Sequence, residues 1–294
     1  MKRKVIIIIT LLSIGIIGFG GYTIFADSAG YEAYKEALKK THTVKNASTT
    51  VVMEVVDNGE VLNKTNLSVK YDLEEKLMEG RIDIQSPQQQ HGFHSNYQDG
   101  KFIVKRESDE EAYYLTEFER QRKDSEEGEK FHNPEMLKLG EMFVDALMQP
   151  VQSEFNMIDN RISIDMKKEE IPKVLQVLGS QMIKMGVKQH SDIVLTTEEY
   201  PFLAETYSFT MPPLEEDISI ESVLVDVKLS EEGLMEEQNS VFIVNGLAQD
   251  GKFHELQIKM AITIYDIDST TIQNISLENQ NLEQFEMKHV HDFH

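Results

Sequence analysis

The sequence predicts an α+β protein built on a large antiparallel sheet. Many segments alternate apolar and polar residues and are separated by Asn-Gly or Asp-Gly turns, a pattern typical of β-hairpins. Two central stretches instead repeat apolar residues at the helical period. Near the C-terminus, three predicted strands are much longer than the usual roughly 5 or 6 residues, which indicates a broad, twisted sheet.

The chain begins with an apolar segment without charge, residues 5–26, which follows three consecutive cations within residues 1–4. At about 1.5 Å per residue, this segment is long enough to cross a hydrocarbon core of about 30 Å. We therefore predict a retained transmembrane helix; the alternative is a signal peptide cleaved near Ala26. The positive-inside rule places residues 1–4 in the cytoplasm and the main domain, residues 27–278, outside the cell membrane.

After the span, an amphipathic helix is predicted over residues 31–41, followed by a meander of antiparallel strands. The turn signals indicate about six strands in this meander. Their predicted ranges are 48–56, 61–71, 76–85, 92–97, 101–106 and 112–118.

Two amphipathic helices are predicted in the middle of the chain, over residues 134–149 and 169–186, with a short strand at 161–166 between them. The first helix places Leu139, Met142, Phe143 and Leu147 on its apolar side, and the second places Leu175, Leu178 and Met182 on its own. Strands then return as three long segments, 218–229, 234–247 and 252–266. Residues 279–294 are predicted to form a polar tail that contains histidines.

Three segments carry a resemblance to a known family: YEAYKEA at residues 31–37, VDVKLSEEG at 225–233 and ITIYDIDST at 262–270. With the order of elements, they resemble the half-barrel lipoprotein-carrier fold of the LolA and LppX type, as found in envelope proteins of Gram-positive bacteria. The resemblance implies a half-barrel, a curved antiparallel sheet covered on its concave side by amphipathic helices. It differs in one respect: many members carry a lipid-modified cysteine, and this chain has none.

The resemblance further implies an apolar cavity between sheet and helices that holds a lipid or another apolar ligand. The residues that it would place at this ligand-binding cavity are Leu139, Met142, Phe143, Leu147, Leu175, Leu178 and Met182. The alternative is that these side chains form only core, since an apolar stripe at helical spacing is usually core.

Composition excludes several classes of function. The chain has 51 Asp and Glu against 29 Lys and Arg and a formal net charge of −22, so it repels the phosphates of nucleic acids. The absence of cysteine excludes disulfides, thiol catalysis and Cys-ligated zinc.

No catalytic signature is present in the sequence, and we predict neither an enzyme nor a bound cofactor. Histidines invite a metal interpretation at two places: His91 with His94, and His289, His291 and His294 near the C-terminus. We interpret the first pair as part of a flexible, Gln-rich loop and the second group as part of the polar tail, with no metal site.

These observations predict a membrane-anchored extracytoplasmic module that binds a lipid or another hydrophobic ligand in the cell envelope. The alternative is a non-enzymatic envelope sensor or protein-interaction domain that docks through its acidic sheet surface. Neither interpretation identifies a protein partner.

Overall fold

The computed structural model describes residues 28–107, 112–117, 148–190, 192–198, 200–203, 205–278 and 280–285. Several predictions lie outside these residues. They are the span at 5–26, the first central helix up to residue 147 with Leu139, Met142, Phe143 and Leu147, and the tail histidines His289, His291 and His294. Neither helix of the described part combines the length and the apolar character needed to cross a membrane.

The described residues form an α+β structure dominated by one open, mixed sheet of 12 strands, which confirms the predicted class. The strands are β1 Asn46–Asp57, β2 Glu60–Asp72, β3 Leu77–Gln85, β4 Gln90–Gln98, β5 Lys101–Arg106, β6 Ala112–Glu117, β7 Asn156–Ile158, β8 Arg161–Lys167, β9 Asp192–Leu195, β10 Tyr207–Thr210, β11 Leu214–Leu229, β12 Met235–Ala248, β13 Phe253–Tyr265 and β14 Asn281–Gln284. Strands β9 and β10 pair only with each other.

The order of strands in the large sheet is β14-β6-β5-β4-β3-β2-β1-β13-β12-β11-β8-β7. Strands β1 to β6 are consecutive neighbours, so the predicted six-stranded meander is confirmed. The long strands β11, β12 and β13 are also confirmed, and β13 joins them to the meander by pairing with β1. All pairs in this sheet are antiparallel except the pair of β14 with β6.

Four short strands were not predicted from the sequence: β7, β9, β10 and β14. Each has only three or four residues, too few for an alternating pattern to be recognised. Strand β14 lies in the stretch that the sequence interpretation assigned to the polar tail, and all four of its residues are exposed.

Two α-helices are described, α1 at Ala29–His42 and α2 at Lys173–His190, together with a short 3-10 helix at Gln149–Glu154. Helix α1 agrees with its prediction and is capped by Ser28, whose hydroxyl accepts a hydrogen bond from the N–H of Tyr31 at 3.3 Å. Helix α2 begins four residues later than predicted, because the chain makes a turn at residues 168–171 before it.

The register of the strands divides the large sheet into two chemically different faces. One row of paired residues crosses six strands on what we call the apolar face. In order from β12 to β4, it contains Gln238, Ile262, Val51, Leu67, Ile82 and Phe93. Because side chains alternate along a strand, the neighbouring residues point to the opposite, charged face. That face carries cross-strand ion pairs such as Lys259 with Glu54 at 2.9 Å and Lys70 with Glu79 at 3.6 Å.

Both described helices pack on the apolar face, near one side of the sheet. The hydroxyl of Tyr34 in α1 donates to Gln238 Oε1 at 3.3 Å. In α2, the amide of Gln176 makes two hydrogen bonds with the backbone of Ile220, donating to its oxygen at 2.7 Å and accepting from its nitrogen at 3.0 Å. These polar contacts fix the helices above β11 and β12.

Candidate functional site

A third element, which we call the rim segment, covers one edge of the apolar face. It comprises residues 200–203 and 205–214 and crosses the sheet where β1 ends and β4 begins. The Gln89 side chain donates to the carbonyl of Thr206 at 2.9 Å, and Asn63 donates to the hydroxyl of Tyr207. At its end, Leu214 pairs with Ala248 of β12.

Arg106 fixes the beginning of the rim segment. Its guanidinium donates to the carbonyl oxygens of Phe202 at 2.9 Å, Pro201 at 3.2 Å and Leu203 at 3.3 Å, and to the hydroxyl of Tyr114 at 3.1 Å. One side chain thus satisfies several backbone acceptors that have no strand partner.

Between the helices and the rim segment, the middle of the apolar face carries five partly exposed apolar side chains. These side chains, which we call the central patch, are Met53, Leu67, Val69, Phe242 and Ile258. Phe242 lies directly opposite Ile258, and the β1 and β2 members follow on the adjoining strands. None of the five belongs to the four clusters of buried side chains in the described residues.

Buried clusters lie on both sides of the central patch. On one side, Leu38, Ile162 and Val227 belong to a cluster formed by α1, β8 and β11. On the other side, Phe93 and Leu203 belong to a cluster between the meander and the rim segment. Among the described residues, the patch is therefore a partly exposed apolar area between two packed regions.

A cleft of about 630 Å³ opens beside the rim segment, at the same edge of the sheet. This rim cleft falls in the size range of small-molecule sites. Its lining consists of Leu62, Pro212, Pro213, Ala248, Gln249, Asp250, Lys252 and His254. Lys252 Nζ lies 2.7 Å from Asp250 Oδ2, and this ion pair lowers the pKa of Asp250 and raises the pKa of Lys252.

The imidazole of His254 in β13 contacts the carboxylate of Asp57, which lies on the neighbouring strand β1. Nδ1 of His254 lies 3.0 Å from Asp57 Oδ1 and 2.9 Å from Oδ2. The two side chains are only 16% and 14% exposed, so the pair is largely shielded from water. The two residues come together because β13 pairs with β1, which places Asp57 opposite Leu256, two residues after His254.

His91 belongs to a second polar group on the apolar face, in β4. It is 6% exposed, its Nε2 atom is buried, and this atom has no hydrogen-bond partner in the described part of the chain. Its ring is stacked on Phe93 with centroids 6.2 Å apart. Burial lowers the pKa of His91, Glu205 acts to raise it and Arg106 acts to lower it.

The interpretation of His91 and His94 as part of a flexible loop is wrong, because both residues lie in strand β4, which extends the strand predicted at 92–97. Residues three apart in a strand point to opposite faces, so these two histidines cannot share a metal ion. Across the described residues, no group of three or more His, Asp or Glu side chains is arranged to hold a metal.

A second cleft, of about 580 Å³, has a different chemistry. Its lining includes Lys45 and Glu74, which form an ion pair at 2.9 Å, and Asn46, whose amide donates to Asp72 at 2.8 Å. These polar groups pair with one another, and Val44, Leu234 and Ile267 form the apolar part of the same lining.

The structure describes three of the seven candidate ligand-binding residues, all in α2. Leu175 packs against the cluster formed with α1, Leu178 is 39% exposed, and Met182 is described only as part of the helix. Leu139, Met142, Phe143 and Leu147 lie outside the described residues. Sequence reasoning did not identify the central patch or the pair of His254 with Asp57. Alternation along a strand shows which of its residues share a face, but it does not show which strands are neighbours in the sheet.

Comparison with known proteins does not assign a family. No protein-family model matches the chain, and no curated protein matches it. Among solved structures, the chain is similar to an uncharacterized conserved protein from Thermus thermophilus, with 6% identity, coverage of 88% of this chain and 100% of that one, and a TM-score of 0.23. A score this low carries no argument about fold or function.

Proposed function

We propose that this protein is a membrane-anchored extracytoplasmic module that binds a lipid or another apolar ligand on the apolar face of its sheet. The observation that carries the proposal is the central patch, which remains partly exposed between two buried clusters. Its side chains come from four adjacent strands and are uncharged, as expected for a surface that receives hydrocarbon.

The proposal includes the finer architecture expected from the sequence. The large sheet is taken to curve as a half-barrel with the central patch on its concave side, as in the LolA and LppX type. Residues 5–26 are taken to hold the domain at the outer surface of the cell membrane. A module tethered in this way receives or transfers molecules next to its own membrane.

The experiment that tests this function is photo-crosslinking of the full chain in lipid nanodiscs with a phospholipid that carries a diazirine in its acyl chain. We expect labelled peptides to contain residues of the central patch. The variant Leu67→Asp places a charge in the patch and is expected to reduce this labelling by roughly ten-fold or more, because burying an unpaired carboxylate against hydrocarbon is strongly unfavourable.

The matched control is Asn66→Asp, one residue earlier in β2, whose side chain points to the charged face. It changes the net charge as Leu67→Asp does but leaves the patch intact, so labelling should remain at the wild-type level. Circular dichroism and thermal unfolding would establish that both variants are folded. Labelling that is equal in the two variants, or that avoids the central patch in the wild type, would refute the proposed function.

A further inference from the structure

We propose that the rim cleft is a subsite for a hydroxyl group at one end of an apolar ligand, with His254 as the hydrogen-bond acceptor. This inference rests on the proposed function, because it assigns a polar contact for an apolar ligand at the edge of the same sheet. Three features of the cleft support it: the orientation of the imidazole, the composition of the walls and the charges nearby.

The first feature is the tautomer of His254. Both oxygens of Asp57 lie within 3.0 Å of Nδ1, so this nitrogen carries the proton and donates it to the carboxylate. In the neutral ring, Nε2 is then left with a lone pair and acts as an acceptor. Nε2 has no protein partner in the described part of the chain. A ligand group that binds there must therefore donate a hydrogen bond.

The second feature is the apolar wall. Leu62, Pro212, Pro213 and Ala248 line the cleft together with His254. The two prolines have no N–H and present hydrocarbon to the cleft. A carbon chain attached to the donor group would therefore contact apolar side chains beside the imidazole.

The third feature is the charge around the imidazole. Asp57 and Asp250 are both near His254, while the cation of Lys252 is paired with Asp250 at 2.7 Å. An anionic head group, whether a carboxylate or a phosphate, would meet these two carboxylates and the net charge of −22 of the whole chain. A neutral donor avoids this repulsion, and a hydroxyl is the neutral donor common to alcohols and acylglycerols.

The test compares two probes that differ only in the donor: decanol with a diazirine in its chain, and the methyl ether of the same compound. Each is added to the full chain in nanodiscs, and crosslinks are mapped by peptide mass spectrometry as a function of probe concentration. We expect the alcohol to label the peptides that line the rim cleft at a concentration about five-fold or more below that of the ether, the equivalent of one hydrogen bond.

Variants connect this preference to His254. In His254→Phe the acceptor is lost, and the alcohol and the ether should label the cleft equally. In Asp57→Asn the amide donates to Nδ1, the proton moves to Nε2, and the preference for the alcohol should fall. The matched control is Glu54→Gln, an acid-to-amide change in the same strand that removes an ion pair with Lys259 on the charged face; it should leave the preference unchanged.

The outcomes separate this inference from the proposed function. If both probes label the cleft equally in the wild-type chain, or if the preference persists in His254→Phe, the hydroxyl subsite is refuted and the apolar site stands. If neither probe labels the central patch or the cleft, both proposals fail. Because the central comparison uses the wild-type chain, it does not depend on the stability of any variant.

Discussion

The ring of Tyr207 stands edge-on to the imidazole of His91, with ring centroids 5.4 Å apart and planes at 89°. Through this contact the rim segment covers a histidine whose Nε2 is buried without a partner in the described part of the chain. The same tyrosine accepts a hydrogen bond from Asn63, and burial raises its pKa to about 12. Two polar side chains of the sheet thus lie beneath one residue of the rim segment.

The first prediction concerns acid stability. Burial lowers the pKa of His91 below its ordinary value of 6.5, so the unfolded chain binds this proton more tightly than the folded chain. The contribution of His91 to stability is therefore fully present above pH 6.5 and declines as the pH falls below that value. His91→Phe should weaken the dependence of the unfolding free energy on pH in this window, as measured by urea denaturation at a series of pH values.

The control for this prediction is His94→Phe, in the same strand with its side chain on the opposite face. It should leave the pH dependence close to that of the wild type. A wild-type slope retained in His91→Phe would show that other groups cause the loss of stability in acid.

A second prediction concerns the hydroxyl of Tyr207. Tyr207→Phe removes the acceptor for the amide of Asn63, which is only 5% exposed and would be left with an unsatisfied donor. We expect a loss of about 1–3 kcal/mol in unfolding free energy, measured by chemical denaturation. Tyr265→Phe is the control, because Tyr265 is 41% exposed and water replaces any bond that its hydroxyl makes. An equal effect of the two changes would contradict this account.

These contacts show which parts of the structure were accessible to sequence reasoning. The strands of the meander and the long strands β11–β13 were predicted because alternation and Asp-Gly turns are local signals. The pair of Asp57 with His254 was not, because it depends on the pairing of β1 with β13, two strands that lie far apart in the chain. The rim segment was missed for a related reason: its bonds go to side chains such as Arg106 and Gln89 and leave no periodic pattern.

A third prediction concerns Arg106 as the clamp of the rim segment. Arg106→Met keeps much of the length of the side chain but removes all of its donors to the carbonyls of Pro201, Phe202 and Leu203. Local opening of residues 200–203 should become easier by about 2 kcal/mol. Hydrogen exchange of the Leu203 amide, which donates to the carbonyl of Tyr200 at 2.9 Å, would measure this change.

The matched control is Lys105→Met, on the opposite face of the same strand, where the ammonium lies 5.2 Å from the ring centroid of Tyr113. Exchange of the Leu203 amide should be unaffected. If Arg106→Met also leaves it unaffected, the rim segment is held by its apolar contacts and not by the guanidinium.

A fourth prediction concerns the close approach of α1 to the chain at Phe155. A Cβ atom at Gly30 would overlap the carbonyl oxygen of Phe155, which is backbone and cannot move aside easily. Gly30→Ala should therefore destabilise the protein by about 2–3 kcal/mol, despite the higher helix propensity of alanine. Gly59→Ala is the control: nothing lies within 4 Å, and its positive φ of 88° should cost only about 1 kcal/mol. Thermal unfolding of the two variants would show whether Gly30→Ala destabilises the protein more than Gly59→Ala does.

A fifth prediction tests the proposed orientation in the membrane. Because the chain has no cysteine, a single one introduced at a chosen position reports on that position alone. Glu60→Cys places a thiol at the exposed first residue of β2, far along the chain from the predicted span. If residues 27–278 are extracytoplasmic, a membrane-impermeant maleimide should label this variant in intact cells.

The control is Lys2→Cys, on the predicted cytoplasmic side, which should be labelled only after the cells are permeabilised. The opposite labelling pattern would show that residues 27–278 lie in the cytoplasm and would contradict the proposed orientation. Labelling of Glu60→Cys in the culture medium, with none on washed cells, would instead show that the N-terminal segment is cleaved and that the domain is released.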